Sequence, residues 1–592
     1  MKLDHGAIGN GRVLALVGPD TSIDWLCMPR FDSPSIFARL LDEERGGRWA
    51  FEPLDLVSSS MRYVRNTNVL RTEIVTAQGR CELLDFAPWL PTGLSVDAPA
   101  EIHRLIRPID GAPRIRVRFE PRPDYGRQPP VIVPDAQGIE VHGGPLRSFL
   151  RTNVPPPYFE CRQPVRVDRP LFFVLSSGRP TVYDSSAAVG NALEVTTKGW
   201  RAWVRTTNLP SFAADAVLRS ALCLKLHAYN DTGAIIAAAT TSVPEALGTE
   251  RTWDYRYCWL RDSAFVVEAL RRLSHLGEGE AFVRFLRDVA EAGPLQPLYG
   301  IGGERELVEE RLDHLRGFEG TGPVRIGNAA YTQIQTDLMG EMVLCLETLL
   351  TDPRVVHEDA SIMSIIEQLV DEAIAKCSLA DTGLWEYRTM PRHNTFSKAM
   401  CWVAAHRGAE LATVYGRAER ASAWARWARD AREDILARGY NERAGYFTQS
   451  FEGHYPDASN LLLPAIGLVD PKDPRFVSTV RAYERDLVDR GLMLRYRHDD
   501  DFGETTSAFT ICSFWWVEAL AMMGEIDEAI TRFTDLLAYA NPLGLFSEDI
   551  EPSTGRLLGN FPQAYTHVGL IHAAITIGEL LDAKTAHFRA WS

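Results

Sequence analysis

The chain is predicted to be an N-terminal antiparallel β-sandwich followed by an (α/α)6 barrel, and three observations carry that prediction. Short β-branched and aromatic runs with a two-residue period fill roughly the first two hundred residues, separated by Pro, Gly, Asp and Asn. From about residue 212 the apolar period lengthens to that of a helix and stays there to the end. No fixed repeat of roughly 30–50 residues recurs among those helices, which favours a closed ring of hairpins over an open solenoid. The expected boundaries are 1–200 for the sandwich, 201–212 for a linker and 213–592 for the barrel.

In the first part, residues 114–120, RIRVRFE, show the alternation most plainly, and 69–76, 139–142 and 171–176 repeat it. The Pro-rich stretches 122–134 and 153–164 cannot lie in central strands or helix interiors, so they are loops or sheet edges. In the second part, apolar residues recur at helical spacing from 213, in DAVLRSALCLKLHAY. Further helices are expected near 262–275, 279–292, 330–350, 358–377, 395–415, 418–438, 457–467, 473–487, 506–523, 525–540 and 563–583.

Composition narrows the function. The chain has 592 residues, 45% of them hydrophobic, which excludes disordered and fibrous classes and allows two to four domains. Its formal charge of −15 and the lack of a long basic run exclude nucleic acid as a partner and favour a neutral small molecule. Nine Cys without a CxxC pair suggest neither a disulfide framework nor a zinc module. No apolar run reaches about 18 residues, and the first residues do not form a secretory signal. A soluble, cytoplasmic protein without membrane contact, cofactor or metal is expected; the sequence leaves homo-oligomerisation open.

Four loops between helices carry dense aromatic, acidic and Gly-rich sequence: 252–262, 325–337, 381–388 and 544–563. In TWDYRYCWLRD, Asp262 serves either as a first-turn acid of the next helix or, with Arg261 and the aromatics, as part of a sugar site. Sugar C–H faces stack on rings while hydroxyls take charged hydrogen bonds. In GLWEYR, Glu386 follows Trp385; it is either a solvated surface acid or one whose pKa an indole raises, as a general acid requires. LFSEDIEPSTG offers Glu548, Asp549 and Glu551, either as a plain acidic turn or as the second carboxylate of a glycoside hydrolase.

DYRYCWLRD, GLWEYR and SEDIEPSTG, in this order and with helical sequence between them, resemble the glycoside hydrolase family 15 enzymes: glucoamylases, glucodextranases and bacterial trehalases. The opening IGNGRVLALVGPDTSIDWLCMPRFDSPSIFARLLD and the closing GNFPQAYTHVGLIHAA are similar to the trehalase-like branch, so the resemblance covers nearly the whole chain. It implies an exo-acting, inverting α-glucoside hydrolase with a small carbohydrate substrate, trehalose before maltose, isomaltose or dextrin. By this resemblance Glu386 is the general acid and Glu548 the general base, with Glu551 as rival base. Tyr255, Trp259, Arg261 and Asp262 form the innermost subsite, Trp385 flanks the acid, and Tyr331 and Gln335 contact substrate. Residues Trp25, Arg30, Phe31 and Asp32 of DWLCMPRFD shape the outer subsite or seal the domain interface. A phosphorylase, which needs no carboxylate base, and a non-catalytic sugar-binding protein are the rival classes.

Other motifs read as structure. YGIGGERE, at 299–306, is a plain loop, HDDDFGE, at 498–504, a solvated acidic turn, and His567 and His572 do not share a helical face.

Overall fold

The computed structural model describes residues 2–92, 95–135, 137–351 and 360–589. Two large antiparallel sheets build the first part, beside a two-stranded one of Leu90–Thr92 and Ser95–Asp97. One runs in the order Gly6–Gly9, Leu14–Val17, Ile23–Cys27, Arg48–Pro53, Arg114–Glu120, Val165–Arg166, with Ser35–Phe37 paired to the third strand. The other runs Val131–Asp135, Gly138–His142, Ser148–Thr152, Leu171–Ser177, Glu101–Gly111, Gly79–Phe86, Leu70–Thr76, Leu56–Tyr63. The Pro-rich stretch 122–134 thus ends in an edge strand, where Pro134 leaves no inner ladder bond unmade.

Alternate residues of these strands serve two cores. Ala15, Val17, Leu26, Trp49 and Phe51 meet Ile74, Leu83, Ile106 and Phe173 between the sheets. Their neighbours Leu14, Leu16, Trp25, Leu84, Phe86 and Phe172 turn the other way and pack with the helices that follow. Strands buried on both faces read as unbroken apolar runs such as LALV. The strand LRTEIVT, one in from the sheet edge, has one face only half-buried and alternates.

The sheets are also joined by Arg104, fully buried, which donates to Asp85 Oδ1 at 2.7 Å in its own sheet and to the Trp49 carbonyl at 2.7 Å in the other. Arg104→Ala strands the Asp85 carboxyl without its counter-charge. It is expected to lower stability by about 3–5 kcal/mol, read as an earlier urea midpoint.

Residues 186–205 form helix α1 (Ser186–Arg205), where the sequence predicts the end of the sandwich and the start of the linker. Ser185 accepts the Ala188 N–H at 3.2 Å as N-cap. Val189, Ala192, Leu193, Thr196 and Trp200 recur on one buried face, and Trp200 stacks on Trp89 with centroids 4.5 Å apart.

Eleven α-helices follow among the described residues: α2 (Ala214–His227), α3 (Leu260–Arg272), α4 (Gly277–Glu291), α5 (Leu338–Leu350), α6 (Ala360–Lys376), α7 (Thr395–Val414), α8 (Ala418–Gly439), α9 (Pro474–Asp486), α10 (Thr510–Met523), α11 (Ile526–Leu537) and α12 (Ala564–Arg589). Contacts run from α3 to α5, α7, the 3-10 turn Ala458–Leu462, α10 and α12, and α12 closes on α3. The remaining six helices lie outside that ring, so the toroid is closed.

The inner place at 457–467, predicted as a helix, holds only that 3-10 turn. Pro464 has no N–H to give and its ring would strike the carbonyl of residue 460, so an α-helix cannot run through. The predicted helices 330–350 and 506–523 begin late, at 338 and 510, because the chain first runs along the mouth of the ring as a 3-10 turn, Ala329–Thr332, and a strand, Ala508–Phe509. The predicted start of the helix near 358 lies outside the described residues. No helix among the described residues is long and apolar enough to cross a membrane.

Candidate active site

The loops at one end of the ring enclose a cleft of about 860 Å³, including the part open to solvent. Four of the residues singled out in the sequence line it together with Glu386: Tyr255, Trp259, Arg261 and Asp262 from the first aromatic loop; Trp385 also lies in its wall. The strand Cys258–Trp259 leads directly into α3, so Arg261 and Asp262 occupy the first turn and aim into the ring.

Glu386 sits at φ +61°, a left-handed conformation that costs a residue with a Cβ about 1–2 kcal/mol. Surrounding bonds hold it there. The Glu386 N–H donates to the Gly383 carbonyl at 3.1 Å, the Tyr387 N–H to the Thr382 carbonyl at 3.1 Å, and Gln333 Nε2 to the Glu386 carbonyl at 3.1 Å. Its Oε1 accepts three donors: Trp259 Nε1 at 2.7 Å, Gln335 Nε2 at 3.2 Å and Arg261 Nη2 at 3.4 Å. The indole that touches this carboxyl is therefore that of Trp259. The sequence points to Trp385, but its N–H goes instead to the buried Asp457, at 2.8 and 3.0 Å.

Arg261 is one cation among several acids. Asp262 lies 3.5 Å away and Asp337 3.6 Å, with Glu386 beyond its Nη2 and Glu341 a helical turn after Asp337. Burial pushes Asp262 and Asp337 each up to about 6, with Arg261 opposing, and pushes Glu341 well above the carboxylate range.

Glu548 is buried at 1% exposure, ahead of the strand Asp549–Glu551. Its Oε2 accepts the Asn560 N–H at 3.0 Å. A Cβ at Gly559, φ +71°, would stand 2.6 Å from the Glu548 Cβ, so only glycine lets the acid fit. Burial, then the charges of Asp549 and Glu245, drives the Glu548 pKa well up; the Asn560 N–H and the Tyr255 hydroxyl oppose this. Asp549, which accepts the Ser507 hydroxyl at 2.7 Å, is pushed up to about 7 by burial and by Glu245, against Arg495. The two acids titrate as a pair. Tyr255, in the cleft wall, lies within electrostatic reach of both Glu548 and Glu386. The rival Glu551 is half-buried at the end of its strand and accepts the Thr554 hydroxyl in a local turn.

Several expectations change place. Gln335 is buried behind the wall, donating to Glu386 and accepting Arg261 Nη1 at 2.9 Å. Tyr331 packs, half-buried, against the small apolar cluster that contains Trp259 and Tyr257, and its neighbour Ala330 lines the cleft. The DWLCMPRFD segment lies at the interface between the two parts and not in the cleft wall. Trp25 donates to the Ala239 carbonyl at 2.7 Å, Phe31 meets Tyr229 edge-on at 5.6 Å, and Arg30 pairs with Asp32 at 2.6 Å and Glu304 at 3.0 Å. Arg256 reaches back from the first aromatic loop to the Cys27 Sγ at 3.4 Å and to the carbonyl of Ser33, the residue after the segment, at 2.9 Å, so this stretch braces that loop from behind. HDDDFGE is no solvated turn: Asp500, Asp501 and Phe502 line the cleft. Among the described residues no group of three or more His, Cys, Asp or Glu is arranged to hold a metal ion.

The sequence reading overlooked Glu245, Arg495, Asp337 and Glu341. Glu245 lines the cleft with its side chain 3% exposed, accepting Trp253 Nε1 at 2.8 Å and a short ion pair from Arg495. The available signals were an acid, Glu341, in the apolar first half of the helix LMGEMVLCLETLL and a lone cation in LMLRY. Because the Glu245 charge raises both Glu548 and Asp549, Glu245→Gln is expected to lower the Glu548 pKa. The acid limb of the kcat/KM profile should then move to lower pH by about half a unit or more. A uniform loss of activity with an unmoved limb would make Glu245 purely structural.

Comparison with known proteins places this geometry among sugar-processing enzymes. The profile of glycosyl hydrolases family 15 matches residues 211–575, and that of the trehalase-like N-terminal domain matches residues 4–153. A trehalase of Mycobacterium tuberculosis is 36% identical, over 97% of this chain and 89% of its own. A trehalase of Thermoplasma volcanium is 32% identical, over 98% and 94%. A bacterial glucoamylase solved in complex with acarbose shares the fold, with a TM-score of 0.70 at 14% identity, covering 99% of this chain and 96% of that one.

Proposed function

The chain belongs to glycosyl hydrolases family 15, and from that premise we propose that it hydrolyses a small α-glucoside, trehalose first, with inversion at the anomeric carbon. The carrying observation is a cleft that presents Glu386 on a fixed, three-donor mount, with a second carboxyl, Glu548, buried next to that cleft and in contact with the hydroxyl of the cleft residue Tyr255. Preference for trehalose rests on relatives of that activity which match along nearly their whole length.

In this reading Asp262 and Arg261 hold the hydroxyls of the terminal glucose at the bottom of the cleft, while Trp259 and Tyr255 stack on its apolar edges. Glu386 is the acid. Its Oε1 is taken by N–H donors, so the transferable proton belongs on Oε2 and passes to the glycosidic oxygen as the bond breaks. Glu548 is the base: one oxygen is anchored by the Asn560 N–H, and the other takes a proton from the attacking water. An inverting pair stands roughly 6.5–9.5 Å apart to admit that water.

The test is incubation with trehalose, maltose, isomaltose and dextrin, with NMR resolving the glucose anomers ahead of mutarotation. Trehalose is expected to be cut fastest and to yield one α- and one β-glucose. Two α-glucoses from trehalose would exclude inversion, and no glucose from any substrate would exclude the hydrolase.

A further inference from the structure

The hydrolytic step uses no residue of the 498–504 hairpin, yet this hairpin forms one side of the cleft. Its strands, Asp499–Asp500 and Gly503–Glu504, pair antiparallel, and Asp500, Asp501 and Phe502 face inward. Exposure gives the depth. Asp262 and Tyr565 are buried, Asp501 and Phe502 half-buried, and Gly503 and Glu504 exposed, so the hairpin stands at the mouth.

It is braced on every side. Asp500 takes Arg251 through both oxygens, at 2.8 and 2.5 Å, and Asp501 accepts the N–H groups of Arg388 and Thr389 at 2.5 and 3.0 Å. Those two residues follow Glu386 by two and three positions. The Phe502 ring meets Trp253 edge-on at 5.0 Å, and the Arg388 guanidinium lies over both rings, at 4.6 Å from Trp253 and 5.6 Å from Phe502. Arg388 also pairs with Glu309 at 2.8 Å, and Arg325 sits 4.8 Å from the Trp253 ring.

A groove for a long chain needs open ring faces and free donors along its outer end. Here those groups are spent on one another. We propose that the 498–504 hairpin closes the outer end of the cleft one sugar beyond the scissile bond, with Phe502 as the stop that restricts the protein to disaccharide-sized α-glucosides. This rests on the reading of the cleft as an α-glucoside hydrolase site. A third sugar must push Phe502 off Trp253 and loosen Asp501 from the loop that carries the acid, so longer substrates lose in kcat as well as in KM.

The experiment measures kcat/KM of the wild type, Phe502→Ala and Phe502→Leu on two matched pairs: trehalose against trehalose lengthened by one glucose, and maltose against maltotriose. The wild type should favour the disaccharide by about tenfold or more, and Phe502→Ala should shrink that ratio by about tenfold, with Phe502→Leu between them. If the wild type takes both lengths equally, the proposal is overturned. An unchanged ratio in folded Phe502→Ala also overturns it; should that variant lose its cooperative melting, an unchanged ratio in Phe502→Leu does so instead. A wild type that releases no glucose from any of the four sugars removes the hydrolase reading, and this proposal with it.

Discussion

Glu548→Gln is expected to lower kcat by about 10³-fold while raising the stability of the protein near pH 8. In the proposed mechanism the variant lacks the group that takes the proton of the attacking water but keeps the substrate contacts at Arg261 and Asp262, so kcat should fall and KM should change little. Azide added to Glu548→Ala should restore turnover by attacking without a base and give a β-glucosyl azide. Unchanged turnover in either variant would end the assignment, and the same pair of variants at Glu551 excludes the rival.

The stability effect follows from linkage. An unfolded Glu titrates near about 4.3, whereas burial and the charges of Asp549 and Glu245 hold the folded Glu548 well above that. The folded state therefore binds the proton more tightly. Below the unfolded pKa the acid is neutral in both states and there is no penalty. As pH rises from there through the folded pKa, the penalty of ionising a buried acid grows, and it is constant above. Glutamine removes it, so Tm should rise by about 1–3 °C at pH 8 and by less at pH 5. A lower Tm at pH 8 would show that Glu548 ionises in the fold without cost.

Glu386→Gln should reduce kcat on trehalose by about 10²–10⁴-fold, because the leaving glucose then departs as an unprotonated alkoxide. The glutamine can still accept from Trp259 and Arg261 through its amide oxygen, so the mount survives and the loss is one of chemistry. α-Glucosyl fluoride needs no proton to leave, and on this substrate the variant should keep most of its activity. Equal losses on both substrates would assign Glu386 to binding and leave the acid unidentified.

Legibility in the sequence followed the range of the interaction concerned. Strand and helix periods are set by neighbours two to four positions away, so RIRVRFE and the twelve expected helices of the second part could be read in order. Where local chemistry overrode period the reading slipped: Pro464 cut an inner helix to a 3-10 turn, and α1 was absorbed into the preceding β composition. Glu386 and Glu548 stand out by motif, but their surroundings do not. Trp385 is next to Glu386 in the chain, yet Trp259, 127 residues away, donates to it.

The sequence by itself determined the order of β and α parts, the closed helical ring and the loops that carry aromatic and acidic side chains. Tertiary structure alone decided which charges share a buried site. Glu245 meets Arg495 across 250 residues, HDDDFGE becomes the mouth of a cleft, and DWLCMPRFD becomes a brace. The physical reason is that desolvation and charge pairing depend on everything folded around a group, and no spacing along the chain records that sum.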